Sequence, residues 1–175
     1  MLHPIKHFLV VARHRRKVRK YCFKLGLYSQ GLKHDLSKYS FKEFYIGMKY
    51  FKGYESPNTS ERKKYGYSKA WLNHKGRNKH HFEYWTYFSH SEQKYVFVKM
   101  PINYLKECLC DRIAATEIYN GKNYNDKMPL EYFITKQDEL GMHKETAAKL
   151  QQWLTLVSEL GKKEAFKIIK KEKDY

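Results

Sequence analysis

Nine histidines are spread along the 175 residues, at His3, His7, His14, His34, His74, His80, His81, His90 and His143. Several fall beside apolar residues at helical spacing instead of on solvated faces. An imidazole buried there must hydrogen-bond or bind something, and histidines gathered with carboxylates suit a transition metal better than bare packing. The adjacent pair His34-Asp35 puts both donor types at one point of the chain. The expected chemistry is the holding of one or two divalent metal ions, drawn from Mn, Fe, Co, Mg or Zn.

Such a centre needs elements to position it, and the spacing predicts an all-α, compact single-domain helical bundle spanning 1–175. Pro4 opens a first helix in which Phe8, Val11, Val18, Cys22 and Leu25 recur at helical spacing until Gly26. A second periodic stretch covers about 32–51, with Leu36, Phe44, Met48 and Phe51 as core positions, and 53–58 reads as a loop. Thr59 or Ser60 caps a third helix that carries Trp71, Leu72 and His74 and weakens at Gly76, and a fourth covers about 78–88. Tyr95-Val96-Phe97-Val98 has strand character, but a lone strand leaves its backbone unsatisfied. It is expected as a connector, with no β-hairpin anywhere. Pro101 starts a fifth helix ending near Gly121, and this closes a ligand-bearing core of about 4–122. C-terminal helices follow over about 129–173: Pro129 opens one, 146–160 is amphipathic, and Gly161 separates a Lys-rich end whose last ten residues are expected to fray.

The residues His34-Asp35-Leu36-Ser37-Lys38 resemble the signature of the HD-domain superfamily, helical metal-dependent phosphohydrolases named for that His-Asp pair. In that family a histidine on the preceding helix is a ligand, often with a valine four residues later; here His14 is followed by Val18. The family's last ligand is an aspartate on a later helix, and Asp111 lies in the apolar stretch Cys108 to Ala114. An unpaired carboxylate there is costly unless an ion, or an ion pair with Arg112 or a neighbouring helix, removes the cost. Glu107, one turn earlier, is then a supporting partner. Two-metal members add two histidines between these points, and His74, His80 and His81 offer three. If the helix persists, His74 and His81 share a face, being seven steps of about 100° apart. His81 is therefore preferred, with His80 the alternative ligand if Gly76 and Asn78 break the helix. The segment from Asn78 to Trp85 is also similar to an Asn-x-His-His-x-x-Tyr-Trp stretch in an uncharacterised bacterial family with an HD core. The resemblance spans roughly residues 10 to 120, and His3, His7, His90 and His143 match none of its ligand positions.

What the resemblance implies is hydrolysis of a phosphate ester. An ion on His14, His34, Asp35 and Asp111 would lower the pKa of a coordinated water, and His74 and His81 would hold a second. Asp35 would bridge the ions or orient the water, and Lys38, Arg77 and Arg112 are the nearest basic candidates to receive phosphate oxygens. Asp35 and Lys38 are thus the catalytic candidates. The same superfamily includes di-iron oxygenases with nearly identical ligands, so that reaction class stands beside the first.

Charge bears on the partner. Lys and Arg number 35 against 18 Asp and Glu, a formal +17, which attracts anions. A nucleotide is the preferred small phosphorylated substrate, because 16 Tyr, 10 Phe and 3 Trp supply rings for base stacking. Nucleic acid, held by the basic runs 13–20 and 162–173, is the alternative partner and requires no catalysis. Three cysteines without C-x-x-C spacing read as buried thiols in a reducing compartment, and the cytoplasm fits best. No stretch approaches the roughly 20 apolar residues of a membrane span, so no membrane partner is expected.

Overall fold

The computed structural model describes residues 2–136 and 141–175. Helix α1 (Pro4–Lys24) has Pro4 in its first turn and turns His7, Val11, His14, Val18, Tyr21 and Cys22 inward. These positions lie three or four residues apart, so one stripe of the helix meets the core. Phe8 falls off that stripe and is exposed, against the sequence-based expectation.

The stretch 32–51 is not one helix. The chain forms α2 (Tyr28–Lys33), a 3-10 turn Leu36–Tyr39 and α3 (Phe41–Lys49). The break falls on the His34-Asp35 pair, where Asp35 takes a left-handed φ of 53°, a conformation that ends a right-handed helix. In consequence Leu36 is exposed, and Phe44, Met48 and Phe51 are only half-buried. The expected third helix is two: α4 (Pro57–Tyr65), entered at Ser56 instead of Thr59 or Ser60, and α5 (Lys69–Lys75). Ser68 caps α5 by accepting a hydrogen bond from the Trp71 amide.

The fourth expected helix is absent. Beyond α5 the chain turns, makes a 3-10 turn at Phe82–Tyr84 and enters β1 (Thr86–Ser89), which pairs antiparallel with β2 (Lys94–Phe97). Thr86 faces Phe97 and Ser89 faces Lys94 in the register, and the Val98 amide extends the ladder to the Trp85 carbonyl. The run at 95–98 was therefore a strand with a partner, supplied by a segment whose Thr, Tyr and Phe content favours extended backbone.

Helix α6 (Ile102–Asn120) passes through the centre, packing on α1 and α8. It buries Leu105, Cys108, Leu109, Cys110, Ile113 and Ala114. Helix α7 (Met128–Lys136) adds Phe133, and α8 (Lys144–Lys171) adds Leu150, Trp153, Leu154, Val157, Ala165, Phe166 and Ile169 to the same core. Cys22, Cys108 and Cys110 are buried free thiols, as expected. Gly161 interrupts α8 with φ 73° and ψ 159°, so the Lys-rich end is set off from 144–160. That end does not hang free: Trp153 donates to Glu172, Lys106 to the Glu172 carbonyl and Tyr175 to the Met100 carbonyl.

Helix α3 crosses α1, α4 and α5 and forms the flank of the bundle that faces the histidines. His7 packs so closely on Gly47 that a Cβ there would lie 2.1 Å from its Nε2, so only glycine fits. Burial, reinforced by the charge of Lys38, lowers the His7 pKa to about 4 and keeps the ring neutral.

Candidate metal centre

Four elements converge on Asp35. Helix α1 supplies His14, the junction after α2 supplies His34 and Asp35, α5 and the turn beyond it supply His74, His80 and His81, and α6 supplies Asp111. The left-handed backbone at Asp35 points its carboxylate, fully buried, into the space between them.

Its two oxygens face different groups. Oδ2 lies 3.5 Å from His14 Nε2 and 3.4 Å from His34 Nε2, and Asp111 Oδ1 completes that group at 2.9 and 3.6 Å from the same two nitrogens. Oδ1 lies 3.3 Å from His74 Nε2 and 3.4 Å from His80 Nε2, and His81 belongs to the same set. Within each group of four the donor atoms lie inside 4.8 Å of one another. Two ligands at about 2.1 Å from a cation stand roughly 3.0–3.4 Å apart at octahedral to tetrahedral angles, so the spacing fits one ion per group.

Hydrogen bonding gives an independent test. His14 Nε2, His34 Nε2, His80 Nε2, His81 Nε2 and both Asp35 oxygens are buried without an aligned hydrogen bond, the approaches of the Lys38 ammonium to Asp35 Oδ2 and of Asp111 to His14 being ion-pair contacts. Buried polar atoms are rarely left so. Six of them aimed at a shared space is what a cation would satisfy, and the imidazole and carboxylate donor set fits a divalent metal.

The far nitrogens of His34, His80 and His74 are engaged. His34 Nδ1 is 2.9 Å and His80 Nδ1 3.2 Å from Glu107 Oε1, so one carboxylate on α6 orients a ring in each group. His34, His80 and Glu107 also lie together, but Glu107 holds the far nitrogens of the two rings, which makes it a support and not a third ion site. On the other side His74 Nδ1 is 2.8 Å from Glu43 Oε2, and Glu43 is fixed in turn by Asn73 and Ser37. Each bond leaves Nε2 facing inward, the arrangement a metal-binding histidine needs. Glu107→Gln should therefore weaken binding about 10- to 100-fold at both groups together. Calorimetric titration with manganese reads this, and wild-type affinity and stoichiometry in the variant would refute it.

Electrostatics follows the same geometry. Burial opposes ionisation of Asp35, yet His34, Lys38 and His74 hold its pKa well below the usual carboxylate range, and His14 and His34 do the same for Asp111. Burial opposes protonation of His34 and His74, but Asp35 with the other carboxylates outweighs it and raises both. His80 and His81 are lowered, by burial first and then by neighbouring histidines. Both shifts favour a proton on His34 and His74, which a cation bound at Nε2 would have to displace. Lower pH favours the protonated form, so binding should release about one proton or more and weaken by about tenfold per pH unit below 7. Titration in buffers of different ionisation enthalpy measures the release, and a buffer-independent heat would exclude it.

Of the basic candidates, only Lys38 is set against the cluster, its Nζ 2.7 Å from Asp35 Oδ2 and its side chain 30 % exposed. Arg77 is exposed, and its side chain makes no ion pair or hydrogen bond among the described residues. Arg112, although next to Asp111, turns to Phe133 and Cys108. His3, His7, His90 and His143 belong to neither group. Sequence reasoning passed over Glu43 and Ser37; an acid on an amphipathic helix reads as surface until the crossing of α3 with α5 is known.

Fold and site together define a mostly helical protein with a buried histidine and carboxylate centre whose two donor groups could each hold a metal ion. The chain belongs to a family of unknown function (DUF5662), whose model matches residues 3–156 and so contains every residue of the centre. No curated protein and no solved structure matches it.

Proposed function

We propose that this chain is an HD-type metal-dependent phosphohydrolase acting on a nucleotide or another small phosphate ester. The observation that carries the reading is Asp35, whose two oxygens serve two separate donor groups, each completed by histidines. A pair of adjacent cation sites sharing one carboxylate suits in-line displacement at phosphorus. A divalent cation held there supplies Lewis acidity and lowers the pKa of a coordinated water toward neutrality.

The chain's own residues supply the rest. Burial opposes the charge on Lys38, but Asp35 and Asp111 raise its pKa above the ordinary lysine value, so it stays an ammonium and acts as a phosphate-binding cation, not a base. Its side chain is more exposed than the carboxylates it faces, 30 % against 1 % for Asp35 and 17 % for Asp111, which lets it meet a substrate phosphate from solvent. Glu107 and Glu43 hold the imidazoles still, which keeps reorganisation during the reaction small. In the reaction the ester P–O bond breaks, the water oxygen joins phosphorus, and the alcohol leaves with a proton.

The test is turnover of a panel of nucleotides and phosphomonoesters by protein loaded with manganese, cobalt or magnesium. Release of phosphate from at least one class, abolished by chelation and restored by metal, is expected. A colourless loaded protein without turnover on the whole panel overturns the reading. So does iron taken up aerobically with a visible absorption band and oxygen consumption, which would assign the di-iron oxygenase reaction.

A further inference from the structure

We propose that the outward face of α1, flanked by the start of α3, docks this protein on an anionic lipid bilayer surface. The proposal rests on none of the metal chemistry. Because α1 turns one stripe into the core, the opposite stripe is what another phase would meet. Along that stripe the residues shift from mainly apolar to mainly cationic. The first turns expose Leu2, Ile5, Phe8 and Leu9 with Lys6 among them, Ile5 being 74 % exposed, and the later turns expose Arg13, Arg16, Arg19 and Lys20, with Phe23 beyond.

The apolar end is broadened by its neighbours. Tyr39 packs its ring on Phe8 at 5.7 Å, and Phe41, 82 % exposed, stacks on Tyr45 at 5.8 Å. Apolar side chains gathered in this way mark an interaction surface.

Charge selects the occupant. Between residues 2 and 54 the sequence has thirteen Lys and Arg against two acids, Asp35 and Glu43, and both acids are buried. The segment therefore exposes cationic and apolar side chains but no carboxylate, the pattern that an interface rich in anionic headgroups attracts. A nucleic acid would use the arginines and find rings to stack on at Phe41 and Tyr45, but it would leave the exposed aliphatic side chains of Leu2, Ile5 and Leu9 in water, whereas a bilayer covers them. Among the described residues no helix is long and apolar enough to cross a membrane, and binding of this kind requires no crossing. The apolar turns would enter the headgroup boundary while the arginines remain among the phosphates.

Co-sedimentation of the full chain with vesicles tests it, comparing phosphatidylcholine alone with a 7:3 mixture containing phosphatidylglycerol. Binding to the anionic vesicles is expected to be about tenfold or more tighter, and to fall with salt. Both Ile5→Ser/Phe8→Ser/Phe41→Ser and Arg13→Gln/Arg16→Gln/Arg19→Gln should lower it about tenfold with unchanged circular dichroism. No binding, or equal binding to both compositions, overturns the proposal. It is also overturned if the serine variant binds normally while single-stranded RNA competes the vesicles away, which assigns the face to nucleic acid. A wild-type dimer without vesicle affinity, made monomeric by the serine variant, would assign the face to a second copy.

Discussion

Asp35→Asn should lower phosphate-ester turnover by roughly a thousandfold or more, since several kcal/mol of transition-state stabilisation depend on the cation it helps to hold. Asparagine has nearly the shape of aspartate and also adopts left-handed backbone, so the 3-10 turn after it should survive. What changes is charge. Oδ1 and Oδ2 face separate donor groups, and an amide offers a weakly donating oxygen to one and a nitrogen, which cannot ligate, to the other. The substitution should therefore strike both groups at once, with elemental analysis showing at most one ion per chain and weaker retention of it. Circular dichroism should remain that of the wild type. Turnover and metal content both equal to wild type would remove the assignment of Asp35 as the shared ligand.

Trp153→Ala should cost about 3–5 kcal/mol of unfolding free energy, the range for emptying an aromatic site in a closed core. Trp153 is fully buried on α8 among residues of α6, α7 and the end of α8, and its indole nitrogen donates to Glu172 Oε1 at 2.9 Å. Two contributions are thus combined, and Trp153→Phe separates them. Phenylalanine keeps most of the packing but leaves Glu172 one donor fewer, with Lys149 still on its other oxygen, so a smaller loss of about 1.5–3 kcal/mol is expected. Urea denaturation at fixed metal content, with an unchanged denaturant slope, measures both. A loss under about 1 kcal/mol for the alanine variant would mean that α8 does not close the core.

How far the sequence led can be traced through particular residues. Pro4, Pro101 and Gly161 marked helix boundaries well, because a fixed φ or a positive φ acts locally and needs no neighbour. His14, His34, Asp35 and Asp111 are nominated through the resemblance carried by the His-Asp pair, and the structure brings them together. The choice between His80 and His81 rested on a helix continuing past Gly76. That helix ends at Lys75, and the irregular turn beyond brings both rings to the Asp35 side. Seven-residue face arithmetic has no meaning across a turn. The hairpin was missed for a related reason: β2 was recognisable by itself, but its partner was read as helix, and strand pairing is a relation between two segments. Glu107 reads from the sequence as a supporting partner, one turn before Asp111, whereas Glu43 illustrates a further limit, since its partner across a helix crossing is decided by packing and not by spacing.

The backbone at position 35 narrows which amino acids the chain can place there. A left-handed residue without glycine's freedom is tolerated chiefly as aspartate or asparagine. Of those two only aspartate carries a carboxylate, and glutamate, which keeps the charge, is both longer and ill-suited to that conformation. One letter of the amino-acid alphabet meets both demands. Drift at this site is therefore closed in every direction that would keep the negative charge, whereas His80 and His81, on ordinary backbone, are restricted by chemistry alone.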